Sequence, residues 1–177
     1  MCAGSSCRCR GTEKGGPPEE PPDHALGRSR GGWGTKLHVV TDGEGTALAV
    51  HLTAGQRHES TQFETVLDAV RVPQAAGPPR KRPAAVAGDL AYAVEHAREW
   101  LKRRRIEDVI PTKSDQRRRP GFDKKKYRRR NVVERCIGWI KEFRRVATRY
   151  EKLAVNYLAM VKLAMMRRYF RLLSDTA

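Results

Sequence analysis

The sequence predicts an α/β chain whose mixed sheet is flanked by helices. Three observations carry this: a hairpin pattern over residues 36–53, two short apolar runs separated by a helix-length segment, and two long amphipathic segments at the end.

Residues 1–34 read as an irregular arm rich in Gly, Pro and Arg. Gly15-Gly16-Pro17-Pro18, Pro21-Pro22 and the Gly/Arg run at 27–32 leave little to pack, so no packed structure is expected before about Thr35. Residues 36–40 read as a strand, Asp42-Gly43-Glu44-Gly45 as a turn, and 46–53 as a second strand with Leu48, Val50 and Leu52 on one face. Asp42 is explained by the turn alone. Thr61 and Glu64 are spaced as a capping box. Phe63, Val66, Leu67 and Val70 then predict a helix over 61–71. Residues 73–83 form a Pro-, Ala- and Arg-rich linker. Ala84 to Gly88 is a buried-strand candidate with Asp89 at its end. A helix over 92–105, a strand at 108–110 stopped by Pro111 and a basic loop at 112–126 follow. Helices over 128–147 and 153–173 close the chain, the last with Ala154, Leu158, Val161, Met165, Tyr169 and Leu172 on one stripe. Residues 35–173 are therefore the expected folded domain.

Of the 177 residues, 36 are Lys or Arg and 20 Asp or Glu, a net charge of +16. The excess is uneven. Residues 1–97 carry 11 basic and 11 acidic side chains, whereas 98–149 carry 20 and 7. Such asymmetry points to a polyanion partner, most simply nucleic acid. No run of about 18 apolar residues exists, which excludes a membrane-spanning helix. No secretory apolar segment opens the chain, so a cytoplasmic protein with no membrane partner is expected. Three of the four cysteines, Cys2, Cys7 and Cys9, fall in the arm; Cys7 and Cys9 form a CxC with no partner pair.

On an ideal helix Tyr127, Arg130, Glu134 and Lys141 fall in one stripe roughly 60° wide. Val133, Cys136, Ile140, Phe143 and Ala147 centre well away from it. The helix would thus pack one face and offer a carboxylate flanked by cations on another. An exposed Glu among Arg and Lys is more often a surface ion pair. Asp89 sits where sheet proteins place their sites, at a strand's C-terminal end, although a turn cap explains it equally well. Two carboxylates brought together repel unless a cation lies between them, and hard oxygen donors select Mg²⁺ or Mn²⁺. Such a site activates water or a 3′-hydroxyl for in-line attack on a phosphodiester. The runs 103–105, 117–119 and 124–126, with Arg128 and Arg129, would hold DNA phosphates. His58 reads as a helix-entry residue before a ligand. Trp100 and Trp139 read as packing residues, with base stacking open to Trp139. Met160, Met165 and Met166 are filler.

Several stretches resemble bacterial insertion-sequence transposases of the DDE type. They are 127–141, where Tyr127, Arg130, Glu134 and Lys141 keep that family's spacing; 147–154, Ala-Thr-Arg-Tyr-Glu-Lys-Leu-Ala; Gly55-Gln-Arg-His-Glu-Ser60; and Gly88-Asp-Leu-Ala-Tyr92. Four blocks in order make the resemblance specific over roughly 14–172. It implies an RNase H-like fold with Mg²⁺ (or Mn²⁺) held by Asp89 and Glu134, the catalytic and metal-binding carboxylates. Tyr127, Arg130 and Lys141 would position DNA, supported by Lys124, Lys125, Lys126, Arg128 and Arg129. The chemistry implied is strand cleavage and transfer on transposon-end duplex DNA, in the bacterial nucleoid. The family's first Asp lies on an upstream strand, and residues 1–16, which match none of its blocks, contain no Asp. A form truncated at its N-terminus is therefore expected, with a homodimer or an upstream-frame polypeptide as protein partner. The alternative is a remnant that binds DNA without cleaving it. An RNA-binding role rests on charge alone and lacks an aromatic sheet motif.

Overall fold

The computed structural model describes residues 2–3, 7–11, 22–29, 32–117 and 120–174. Its side-chain-level description omits Cys2, Cys7 and Cys9. Expectations for 12–21 and for Arg118 and Arg119 lie outside the described residues. The chain is mixed α/β and divides into two compact units. Strands β4 (Gly32–Thr41) and β5 (Ala47–Ala54) contribute to both.

The first unit comprises residues 1–5, 38–50 and 58–135. Strand β1 (Cys2–Ala3) lies antiparallel to β4, with Ala3 opposite Val40. It lies parallel to β6 (Ala85–Ala87), with Cys2 opposite Ala87. Strand β7 (Glu107–Val109) extends the parallel pairing, Val86 facing Asp108. The hairpin turn forms as expected: Asp42 Oδ1 accepts the N–H groups of Glu44 (2.9 Å) and Thr46 (2.8 Å), and Gly45 takes φ +94°.

Helices α1 (Phe63–Asp68) and α2 (Glu95–Arg103) cover this sheet. Their spacing buries Phe63, Val66 and Leu67 from the first and Ala97, Trp100 and Leu101 from the second. Phe63 meets Trp100 edge-on with centroids 5.9 Å apart and Tyr92 at 5.5 Å. Trp100 is thus a packing residue, and emptying the Phe63 position would cost about 3–5 kcal/mol. Arg98 closes the layer, donating to Asp108 Oδ2 at 2.7 Å and to the Pro111 carbonyl at 2.9 Å.

The second unit comprises residues 6–37, 51–57 and 136–177. Strand β2 (Cys7–Gly11) runs antiparallel to β4, with Cys7 opposite Leu37, and parallel to β8 (Thr148–Arg149). Strand β3 (Gly27–Ser29) also pairs antiparallel with β4. Gly55 is obligatory here: a Cβ on it would stand 2.7 Å from the Gly34 carbonyl oxygen and 2.8 Å from that of Gly27. Helix α6 (Ala154–Ser174) buries Tyr157, Val161, Ala164 and Met165, and Tyr157 Oη donates to the Val146 carbonyl at 2.8 Å.

Several expectations are corrected. Residues 2–3, 7–11, 27–29 and 32–34, expected in an irregular arm, belong to strands β1, β2, β3 and the start of β4. Strand pairing uses backbone groups, so Gly- and Arg-rich segments pair without an apolar face, and the alternation Cys7-Arg8-Cys9-Arg10 carries the period-two signal. No capping box forms at Thr61. A 3₁₀ turn over Glu59–Gln62 precedes α1, capped by His58, whose Nδ1 accepts the Ser60 N–H at 3.3 Å. His58 is a helix-entry residue. The expected helix over 128–147 is three pieces: α3 (Lys124–Arg128), α4 (Asn131–Lys141) and α5 (Arg144–Ala147). Carrying α3 straight on into α4 would stack Lys125 on Arg129 and Lys126 on Arg130, two like-charge i,i+4 pairs added to the Lys124–Arg128 pair that α3 already holds. The chain instead tightens, with Arg130 N–H bonded to the Tyr127 carbonyl at 3.0 Å and Val133 N–H to that of Arg130 at 3.0 Å. Phe143 is extended, which separates α5.

Candidate functional site

Asp89 follows β6 directly. Gly88 makes that approach possible, because a Cβ there would press to 3.3 Å against both Ile110 and Tyr92. Asp89 caps a 3₁₀ turn over Leu90–Tyr92, its Oδ1 accepting the Ala91 N–H at 3.0 Å. Its carboxyl is half-buried, and burial raises its pKa above the ordinary carboxylate range. The Glu59 carboxylate pushes the same way; the Ala91 N–H and the Arg130 guanidinium oppose them. Tyr92, buried beneath, has its phenol pKa raised by burial and by both Glu59 and Asp89.

Arg130 joins this group to Glu134. Its Nη2 lies 2.7 Å from Glu134 Oε1, one helical turn on, and its guanidinium packs 5.7 Å from the centroid of the Tyr127 ring. Phe122 braces that ring from another side at 5.5 Å. Tyr127, Arg130 and Glu134 therefore come together, but not on the single helical face expected. Tyr127 belongs to α3, Arg130 to the tightened link and Glu134 to the first turn of α4. Lys141 is the last residue of α4 and falls in the second unit.

Asp123 starts α3, its Oδ1 accepting the N–H groups of Lys125 (2.9 Å) and Lys126 (3.0 Å). Those bonds, the Lys126 bond foremost, hold its pKa below the usual carboxylate value. Cations in a first helical turn oppose the helix dipole, so the lysines gain nothing locally from standing there. Lys126 is spent on Glu107, at 2.7 Å, and that hydrogen bond raises its pKa. Lys124, Lys125, Arg128 and Arg129 are exposed, and of these Lys125 acts electrostatically on Asp123.

Glu59 is the site residue that sequence reasoning passes over. It lies in the Gly55–Ser60 block, where His58 draws attention first, and only packing brings it beside Asp89. His96 helps to place it by holding the Ser60 carbonyl at 3.2 Å. Among the described residues no three His, Cys, Asp or Glu side chains gather closely enough to hold a metal ion. The donors of Asp89 and Glu134 are nonetheless hard oxygens, and Mg²⁺ is commonly held by one or two carboxylates together with substrate phosphates. Burial first, and the Glu59 carboxylate second, disfavour ionised Asp89, and a divalent cation relieves the repulsion from Glu59. These residues fit such an ion. Cys136 is buried. Trp139 lies under the Arg168 guanidinium, 3.7 Å from its centroid.

Carboxylates gathered at a strand end beside a margin of exposed cations define a protein suited to phosphate-rich polyanions. The chain belongs to the transposase DDE domain family, whose model matches residues 8–168. The match reaches back into the 1–16 stretch expected to lie outside the family's blocks. The chain is 38% identical over 131 residues to the protein assigned as transposase for insertion sequence element IS402 in Burkholderia cepacia. That alignment covers 73% of this chain and 60% of the relative's length. It is 30% identical over 134 residues to the protein assigned as transposase for insertion sequence element IS6501 in Brucella ovis, covering 73% of this chain and 93% of that one. The family implies a divalent metal ion. Among the described residues no helix is long and apolar enough to cross a membrane.

Proposed function

We propose that this chain carries out metal-dependent cleavage and transfer of duplex DNA strands in transposition, on an RNase H-like fold, with Asp89 and Glu134 holding Mg²⁺ or Mn²⁺. The observation that carries the reading is the shared guanidinium: Arg130 is ion-paired to Glu134 at 2.7 Å and acts electrostatically on Asp89. One guanidinium acting on two carboxylates from distant parts of the chain means that they stand near one another, as carboxylates sharing a divalent ion must. Membership of the family supports the chemistry.

The bound ion would polarise the scissile phosphate and the attacking oxygen. This chain's residues do the rest. Arg130, stacked on Tyr127, orients the Glu134 carboxylate and offers its remaining N–H groups to a phosphate oxygen. Lys124, Lys125, Arg128 and Arg129 hold the flanking phosphates. Water for cleavage, or a 3′-hydroxyl for transfer, forms the new P–O bond as the bond to the departing oxygen breaks. The attacking oxygen loses a proton and the departing one gains one. Glu59 deepens the negative potential around Asp89 and is the nearest additional carboxylate for that proton.

Nicking of supercoiled plasmid with Mn²⁺ tests the proposal. The chain should nick, and Asp89→Ala and Glu134→Ala should each abolish nicking while duplex binding persists. Nicking that survives both substitutions removes these residues from the site. Binding without nicking under either ion leaves only the phosphate-holding half of the proposal.

A further inference from the structure

Helix α6 is apolar on two opposite sides. One side, with Tyr157, Val161, Ala164 and Met165, is buried in the second unit. The other carries Val155, Ala159, Leu163, Met166, Phe170 and Leu173, spaced 4, 4, 3, 4 and 3 residues apart. On an ideal helix these six share a stripe roughly 80° wide, centred about 180° from the buried side. The stripe is open: Phe170 is 63% exposed and Leu163 54%. One apolar face is enough to seat a surface helix, and a second one rimmed by charge marks an interaction site.

The rim is cationic. Helix α6 holds Lys162, Arg167, Arg168 and Arg171 and no Asp or Glu. Lys162 flanks one edge of the stripe. Along the other edge the three arginines line a cleft of about 240 Å³, across from Trp139, Glu142 and Phe143. Arg167 stacks 5.2 Å from the Phe143 centroid and Arg168 3.7 Å from that of Trp139, which fixes both guanidiniums at that edge. Arg168 Nε is buried there without a hydrogen-bond acceptor among the described residues, and Glu142 is the one carboxylate in the lining.

From Ala159 to Leu173 the spacing is that of a heptad seam, with Leu163 and Phe170 at a and Ala159, Met166 and Leu173 at d. Lys162 then stands at g and Arg167 at e. A second copy laid parallel on this seam would set Lys162 of one copy against Arg167 of the other. Laid antiparallel, it would set each against its own counterpart. Both arrangements press cation on cation, which disfavours the pairing. The stripe exposes roughly 500 Å² of apolar area, short of the ~800 Å² per partner of a standard stable interface. A single amphipathic helix needs no more area than this, and carboxylates along its borders turn the repulsion into attraction.

We propose that this face of α6 docks an acidic amphipathic helix of another protein. The apolar stripe of that helix covers Leu163, Met166 and Phe170, and its flanking Glu or Asp side chains meet Lys162, Arg167 and Arg171.

The probe is a fluorescein-labelled synthetic helix of about 20 residues, a leucine seam of the same spacing bordered by Glu, titrated with the unaltered DNA-free chain and read by fluorescence anisotropy. It should bind about tenfold more tightly than the same seam bordered by Lys, and about tenfold more tightly than a scrambled peptide of identical composition, which keeps the charge and loses the stripe. Leu163→Gln with Phe170→Gln should weaken the Glu-bordered peptide about tenfold and leave the scrambled peptide and duplex DNA binding as before. Both residues are exposed, and circular dichroism checks the variant's fold. Arg167→Gln with Arg171→Gln should reduce the preference for Glu over Lys borders to about threefold or less. Equal binding of seam and scrambled peptides, or a Glu-bordered affinity unmoved by the Leu163/Phe170 variant, overturns the inference. So does a dimer in sedimentation velocity that this variant dissolves, which would give the face to a second copy, or adsorption to phosphatidylglycerol vesicles that the variant abolishes, which would give it to a lipid surface.

Discussion

At the scale of the residue, Asp89 carries two duties that conflict. It caps a turn, which any ionised or neutral carboxyl oxygen can do, and it holds a charge that burial and Glu59 disfavour. A folded-state pKa above the unfolded value means that the folded chain binds the proton more tightly. Stability therefore falls as pH rises from the ordinary Asp value of 3.8 through the raised one, and the loss persists above it. Asp89→Asn keeps a capping oxygen and removes the charge. Its thermal midpoint should exceed that of the unaltered chain at pH 7, and the gap should close toward pH 3.5. An equal gap at both pH values would mean that the charge is not the cause. A site residue whose removal stabilises the fold is the ordinary signature of function held against stability. As candidates, both carboxylates can be picked out in the sequence, Asp89 from its place after an apolar run and Glu134 from its cationic neighbours. Glu59 cannot be, because nothing local relates position 59 to position 89.

Elements account for the two places where periodicity misleads. Arg105, just beyond α2, adopts φ +54°, a left-handed conformation that suits glycine at a helix end. Arg105→Gly should stabilise the first unit by about 0.5–1 kcal/mol, a rise of a few degrees in thermal midpoint. A midpoint that falls would show that the Arg105 side chain, not its backbone, matters to the fold. Strand β1 supplies the other case. Its parallel register, Cys2 opposite Ala87, brings β1 alongside the last residue of β6, two positions before Asp89. If β1 takes the part of the strand that bears the first Asp in the resembling family, Ala3→Asp should raise Mn²⁺-dependent nicking at least tenfold. Plasmid nicking at matched protein concentration reads the change, and an unaltered rate would deny β1 that part. The backbone pairing of this segment escaped the sequence reading because Gly, Ser and Arg signal loop by composition, while hydrogen-bond partners come from β4 and β6.

For the whole molecule, a net charge of +16 places self-repulsion against the folded state and attraction toward polyanions in one balance. Added salt weakens both. Between 50 and 500 mM NaCl the DNA-free chain should gain thermal stability while duplex affinity falls steeply. A midpoint that drops with salt would show that native ion pairs, such as Arg98–Asp108, outweigh the repulsion. Arg149 shows how much of this charge is invested inside. It is buried, hydrogen-bonded to Thr35 Oγ1 and to the carbonyls of Glu151 (2.8 Å) and Lys152 (2.7 Å), and stacked 5.2 Å from the centroid of Tyr157. By itself the sequence determined what is local or additive: the charge and its asymmetry, the hairpin turn at Asp42, the buried face of α1, Val161 and Met165 of the α6 face (though not Tyr157 or Ala164), and the spacing around Glu134. Only the tertiary structure decided what depends on distant segments meeting. That includes Glu59 beside Asp89, Arg130 acting on two carboxylates across a broken helix, and Arg149 buried among carbonyls. Periodicity and turn chemistry act between neighbours in the chain, whereas fields and packing act between neighbours in space.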